Sequence, residues 1–261
     1  KYFAKHAFKN TTLQDLLTEL EAQSGRSLDK WVATWLQTAG VNTLRPISKI
    51  VDGKYESVTV TQEVPLMPVG SQELRIHRLA IGLYDIKGNK VVLRKSVKFE
   101  LEGTSASIPE LTGEPVADLM LVNDQDLSYA KVRLDDRSVA TLKSHIGKIE
   151  DGLTRVVCWS YAWDMLRDAE LSATDFLEMI KGGLGNETDI TTVTTLGNQV
   201  SGAVENYVHS SKREAKREEM ASFIEDLMKS AKPGSDFQLQ FVRIFVALAH
   251  SPAQTETVKE L

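Results

Sequence analysis

The hydrophobic pattern of this chain changes period at one seam. From about Thr43 to Leu134 apolar residues mostly alternate with polar ones, the period of strands; from Asp136 onward they recur every three or four residues, the period of helices. The seam is Leu119–Asp135. In the alternating part, Val58, Val60 and Val64 interleave with Thr59, Thr61 and Glu63. His77, Leu79, Ile81 and Leu83 line one face of the next segment, and Lys87-Gly88-Asn89 predicts a hairpin turn. Val91, Leu93, Val97, Phe99 and Leu101 then alternate again. Several short strands at this spacing predict a β-sandwich. Pro65, Pro68 and Pro109 fall at segment ends, where a missing donor does little harm.

Ahead of the strands lie two predicted helices. Thr11-Thr12-Leu13-Gln14-Asp15 reads as a capped start, with Leu13, Leu16, Leu17 and Leu20 on one face and Gly25 as the stop. A second helix, about Ser27 to Thr38, carries Trp31 and Trp35 one turn apart, on one side. The packing reading is that they anchor the helix pair on a larger body; an aromatic ligand shelf has no polar partner in the local sequence. Two helices cannot bury so much apolar surface alone.

After the seam, helix follows helix. Val139, Leu142, Ile146 and Ile149 make one stripe, and Val156, Trp159, Trp163 and Leu166 the next. Ser172-Ala173-Thr174-Asp175 reads as a cap before Phe176, Leu177 and Ile180, and Gly182, Gly183 and Gly185 break that helix. Leu196, Val200, Ala203, Val204 and Tyr207 form another stripe. Ser211-Lys212-Arg213-Glu214 reads as a capping box opening a charged helix with Met220, Phe223, Ile224, Leu227 and Met228 inside. Phe237, Phe241, Phe245 and Leu248 mark the next helix, and Ser251-Pro252 starts the last. Short loops between amphipathic helices predict antiparallel neighbours curving as a solenoid does. The expected class is therefore α+β and multi-domain, with residues 1–43 helical, 44–134 a β-sandwich and 135–261 an all-α superhelical unit.

Composition narrows the function classes only a little. The 261 residues are 42% hydrophobic and 26% charged with a net charge of −5, ordinary for a globular chain and poorly suited to replacing counterions on nucleic acid. No apolar run approaches the ~18 residues of a membrane span. Cys158 is the lone cysteine. It excludes an internal disulfide and fits a reducing compartment, so a cytoplasmic setting is expected. The chain opens at Lys1 in helix-like sequence and stops at Leu261 inside a polar helical pattern, so both ends read as cuts in a longer polypeptide.

Residue types that carry chemistry are present but not in working patterns. His6, His77, His145, His209 and His250 lie far apart, without the His-Glu-x-x-His spacing of a catalytic zinc site. His77 reads as a sheet-surface or interface residue. Asn123, Asp124 and Asp126 resemble the opening of a calcium loop but lack its glycine and closing glutamate, so a surface turn is expected. Gly182-Gly183-Leu184-Gly185 follows a helix rather than a strand, against a phosphate loop. Lys212, Arg213, Lys216 and Arg217 alternate with Glu214, Glu218 and Glu219 as a solvated face does. Cys158 reads as a buried structural thiol. Asp164, Asp168 and Glu170 are expected to pair with Arg155 and Arg167 rather than act as acids or bases.

The order of segments resembles the C-terminal half of the aminopeptidase N family of zinc-dependent gluzincins, most closely its actinobacterial members. Tyr2 to His6, Asn10 to Leu13 and Asp15 to Leu17 are similar to the closing helices of the catalytic domain. Trp31 through Leu44 resembles the exit into the small β-sandwich, and Asn123 to Asp135 its last strands. Trp163-Asp164-Met165 and Arg167-Asp168-Ala169-Glu170 resemble the second helix of the helical domain, and Pro233-Gly234-Ser235-Asp236 a later turn. The resemblance implies an enzyme that removes N-terminal residues from peptides. Its zinc is held by His-Glu-x-x-His and a distant Glu, its amine site is Gly-x-Met-x-Asn, and a tyrosine stabilises the oxyanion. In the family's order all of these precede Lys1. No catalytic, cofactor-binding or metal residue is carried onto this chain, and Tyr2 is not the family's tyrosine. The parent enzyme would act on peptides with zinc, while these residues would bind none, pack against the missing catalytic domain, and shape access to its site. A free-standing helical scaffold for protein or peptide partners is the alternative; an independent hydrolase using the acidic residues has no supporting spacing.

Overall fold

The computed structural model describes residues 1–261. Three helices come first: α1 (Tyr2–His6), α2 (Leu13–Ser24) and α3 (Asp29–Trp35). The predicted capping box of α2 forms between Thr12 and Asp15, whose Oδ2 accepts the Thr12 N–H at 2.8 Å. Gly25, at φ 66°, ends that helix in the left-handed region that glycine reaches without a Cβ penalty. Of the three helices only Leu17 is buried. Phe3, Phe8, Leu13, Leu20 and Trp31 stay exposed, so this helix group leaves its apolar surface uncovered, as its sequence predicts.

Seven strands follow: β1 (Thr43–Val51), β2 (Lys54–Glu63), β3 (His77–Lys87), β4 (Lys90–Leu101), β5 (Ser105–Ser107), β6 (Leu119–Val122) and β7 (Lys131–Val132). They form a four-stranded sheet in the order β5-β2-β1-β7 and a three-stranded sheet in the order β4-β3-β6. The Lys87–Lys90 pair closes the β3–β4 hairpin around Gly88-Asn89, as predicted, with Gly88 at φ 61°. Strand β7 is parallel to β1, pairing Thr43 with Lys131 and Leu44 with Val132. The seam thus returns to the start of the strands.

Seven helices complete the chain: α4 (Asp136–His145), α5 (Gly152–Arg167), α6 (Ala173–Gly183), α7 (Ile190–Asn206), α8 (Ser210–Ser230), α9 (Asp236–Leu248) and α10 (Pro252–Glu260). Asp135, Asp151, Ser172, Asp189, Ser235 and Ser251 each cap a helix through a side-chain oxygen, a contact worth about 1 kcal/mol apiece. The start of α8 differs from its sequence reading. The helix begins at Ser210, and the cap is His209, whose Nδ1 accepts the Ser211 N–H at 3.3 Å. Helix α5 also differs. Val156 is exposed, while Val157, Cys158, Trp159, Tyr161, Ala162, Met165 and Leu166 are buried. The helix is covered on most of its circumference, so no single stripe describes it.

One apolar cluster runs from Leu44 and Leu79 in the sheets through Leu142 and Phe176 to Phe245 in α9. Helix α8 packs on its neighbour α9, and alternate helices also meet, α4 on α6 and α7 on α9. The α7–α9 crossing is close because Gly197 of α7 has no side chain. A Cβ there would stand 2.4 Å from Cγ1 of Ile244 in α9. Gly197→Ala is expected to lower unfolding stability by about 1–3 kcal/mol by overpacking, measured by urea titration. Ile244→Val in the same chain should recover part of that loss.

Candidate functional site

The groups that could carry chemistry are dispersed by the fold. His6 stacks on Tyr2, His145 Nδ1 lies 2.8 Å from Ser144 Oγ, His209 caps α8, and His250 Nε2 sits 3.0 Å from Glu214. No three His, Cys, Asp or Glu residues are grouped to hold a metal ion. Cys158 is fully buried, and burial pushes its thiol pKa up, away from the reactive thiolate. Gly182 and Gly183 finish α6 and pack against Lys143 and Trp159 instead of lining a loop.

What the fold builds are three polar junctions, two buried and one half-buried. The first joins α3 to the sheets. His77, expected on the sheet surface or at an interface, is fully buried on the inner face of β3, where Trp35 of α3 meets it. Its Nε2 meets Gln62 Oε1 at 3.0 Å and its Nδ1 meets Ser128 Oγ at 2.7 Å. Gln62 Nε2 donates to the carbonyls of Arg75 and Gly103, which fixes its Oε1 as an acceptor. His77 therefore carries its proton on Nε2 and accepts from Ser128. Trp35 packs edge-on against the imidazole with centroids 5.3 Å apart. The Arg75 guanidinium lies 5.3 Å from the Trp35 ring centroid and donates to Thr34 O, Thr38 Oγ1 and Asn42 Oδ1. Trp35 thus anchors α3, as its spacing predicted, while Trp31 remains half-exposed.

The second junction is the turn after β6. Asn123 and Asp124 are buried while Gln125, Asp126 and Leu127 are exposed, so the expected surface turn reaches solvent at its tip and is rooted inside the fold. Asn123, Gln125 and Asp126 all have positive φ. Asn123 Oδ1 accepts the Ser128 N–H, and its Nδ2 donates to Ser128 O and to the Tyr161 hydroxyl of α5. Tyr84 of β3 donates to Asp124 Oδ1 at 2.6 Å. Burial raises the Asp124 pKa, partly offset by that bond and by Ser96. The turn resembles a calcium loop in composition, but its side chains are spent on holding strands to helix.

The third junction ties β7 to the end of α5. Arg133, only 2% exposed, donates Nε to Glu170 at 2.6 Å and Nη2 to Asp168. Lys131 also donates to Asp168, and Arg45 of β1 to Glu170 at 2.8 Å. The expected partners Arg155 and Arg167 are not used. Arg155 lies at the other end of α5, where it meets Glu187. Burial raises the Asp168 pKa, but the bonds from Lys131 and Arg133 more than offset it and hold the group below its usual value. For Glu170 the bond from Arg45 leads, with Arg133 adding to it, and burial opposes both. Asp164 behaves oppositely: burial raises it. Asp168 and Glu170 are structural partners of cations rather than a matched acid and base.

Residues 119–261, from β6 through α10, match the ERAP1-like C-terminal domain. The chain belongs to that family. It is 42% identical, over its whole length, to Aminopeptidase N of Streptomyces lividans, and this covers 31% of that protein. It is 26% identical to Aminopeptidase M1 of Arabidopsis thaliana over 55% of the chain, 16% of that protein. The chain thus spans less than a third of the length of either relative. In this ERAP1-like C-terminal domain the family region takes in the Asn123 turn and the Arg133 junction, two of the three places where strands and helices are tied together.

Proposed function

We propose that these residues are the non-catalytic C-terminal part of a zinc-dependent metalloaminopeptidase that releases N-terminal amino acids from peptides. Identity of 42% to an Aminopeptidase N across the entire chain carries this reading. Residues 1–43 are then the closing helices of a catalytic domain, 44–134 a β-sandwich built from the two sheets, and 135–261 a superhelical domain covering and limiting access to the active site. Alternate-helix packing, α4 on α6 and α7 on α9, supports the superhelix. The exposed Phe3, Phe8, Leu13 and Leu20 support packing of α1 and α2 against the rest of the catalytic domain.

Zinc belongs to the parent enzyme in this reading. The dispersed histidines do not fit the ion, so no step of hydrolysis is assigned to a residue here. A cytoplasmic setting goes with the reading, supported by the lone, buried Cys158. No helix is long and apolar enough to cross a membrane. A free-standing helical scaffold is not favoured, because the identity runs through α1–α3 and both sheets as well as the helices.

The purified chain is expected to release no nitroaniline from leucine p-nitroanilide and to hold no stoichiometric zinc by atomic absorption. Turnover comparable to a complete aminopeptidase, or zinc held by side chains of these residues, would sink the proposal.

A further inference from the structure

Where the α2–α3 turn and α3 meet the β3–β4 hairpin, the surface folds into a cavity of about 470 Å3. That size falls within the range of small-molecule sites, which favour junctions between structural units. The Trp31 ring forms one wall, with Trp35 beside it. Arg26 enters from the α2–α3 turn, and Arg78 and Glu100 enter from the strands. Lys30 at the rim is already paired with Glu102 at 2.6 Å, whereas Arg26, Arg78 and Glu100 have no side-chain partner. Arg78 and Glu100 stand directly opposite each other in the β3–β4 register, which sets their Cβ atoms about 5 Å apart. A cationic and an anionic group therefore lie side by side, unpaired, next to an exposed indole. The tryptophan spacing alone lacked polar partners, and folding brings them from the strands.

We propose that this groove binds a zwitterionic α-amino acid with an apolar side chain. Its carboxylate is held by Arg78 and Arg26, its ammonium by Glu100, and its side chain lies on Trp31. A simple anion would face Glu100, and a simple cation would face two arginines. A neutral apolar ligand would use the indole and leave the three charges without a contact to it. Of these, a ligand carrying both signs a few atoms apart is the one that contacts all three charges and also uses the indole. This inference is independent of the proposed peptidase role, since it rests on the lining of the groove alone.

Calorimetric titration of the 261-residue chain with L-phenylalanine tests it. Saturable binding is expected. N-acetyl-L-phenylalanine, which lacks the ammonium, and L-phenylalaninamide, which lacks the carboxylate, should each bind at least about tenfold more weakly, the loss of one good charge contact. Glu100→Gln should weaken L-phenylalanine about as much while leaving the N-acetyl form unchanged. Arg78→Ala should weaken L-phenylalanine while leaving the amide unchanged. Both positions are exposed, so the variants fold, and the ligand series on the unaltered chain stands without them. Absence of saturable heat with L-phenylalanine overturns the assignment, and so does equal binding of either blocked form.

Discussion

Glu187→Ala is expected to destabilise the helical region by about 3–5 kcal/mol, the usual cost of leaving a buried charge without its counterion. Glu187 sits in the connection between α6 and α7 with its side chain 1% exposed. Its Oε1 accepts the Trp159 indole N–H at 2.7 Å and the Arg155 Nε–H at 3.2 Å, and its Oε2 accepts from Arg155 Nη2 at 3.3 Å. Arg155 Nη1 also donates to the Ile149 carbonyl at 2.6 Å. One carboxylate thus fixes the first turns of α5, the α4–α5 connection and the approach to α7. Alanine would strand a guanidinium that is 8% exposed and an indole N–H in an apolar surround.

Two companion variants separate charge from packing. Glu187→Gln keeps an acceptor for Trp159 and should cost clearly less than alanine. Arg155→Met combined with Glu187→Ala removes both charges and should recover much of the loss, because an apolar replacement of a buried pair is often close to neutral. Urea unfolding followed by helical circular dichroism gives all three values and that of Arg155→Met alone. If the double variant loses the sum of the two single losses, Arg155 and Glu187 are not coupled and the argument fails.

How much of this was legible depends on how local the determinant is. The Thr12–Asp15 box, Gly25, the Gly88-Asn89 turn and the Ser251-Pro252 start are short-range features, and each forms where its residues stand. The alternation of β3 even placed His77 on the inner face with Leu79, Ile81 and Leu83. That it lies at an interface rather than on the sheet surface is set by its partners, Gln62 and Ser128, which come from distant segments. The same holds for Asp168 and Glu170. A helix reading pairs them with arginines of their own helix, whereas the chain brings β7 alongside α5, and Arg133 outcompetes them. Helix α5 hides its role for another reason. A helix apolar on most sides has no stripe, and absence of a stripe is the mark of a central position. The groove at Trp31 was invisible because its charges arrive from β3 and β4.

The second large effect is expected on acidification. Burial, with the Arg75 charge adding to it, holds the His77 pKa down to about 4 against an ordinary 6.5. In the unfolded chain the imidazole takes up its proton near pH 6.5, while in the folded chain it stays neutral until about pH 4. Between those values the unfolded state binds more protons, so stability falls as pH falls. The contribution is whole above pH 6.5, declines through the window and is gone below about 4. Its size is on the order of 3 kcal/mol, taking 1.36 kcal/mol per pKa unit. Protonation at Nδ1 would remove the acceptor that Ser128 uses and set a second cation beside Arg75, with Gln62, Trp35 and Ser128 offering no countercharge. Asp168 and Glu170, held low by their cations, lose their contributions only as pH falls below the ordinary carboxylate range, whereas Asp124 and Asp164, raised by burial, act with the opposite sign. The clean measurement is therefore a difference. Urea stability of the chain minus that of His77→Gln, taken between pH 7.5 and 4.5, should shrink steadily as pH drops. A difference that stays constant over that interval would show that His77 is not held neutral by its surroundings, and with it would go the account of how α3 is fastened to the sheets.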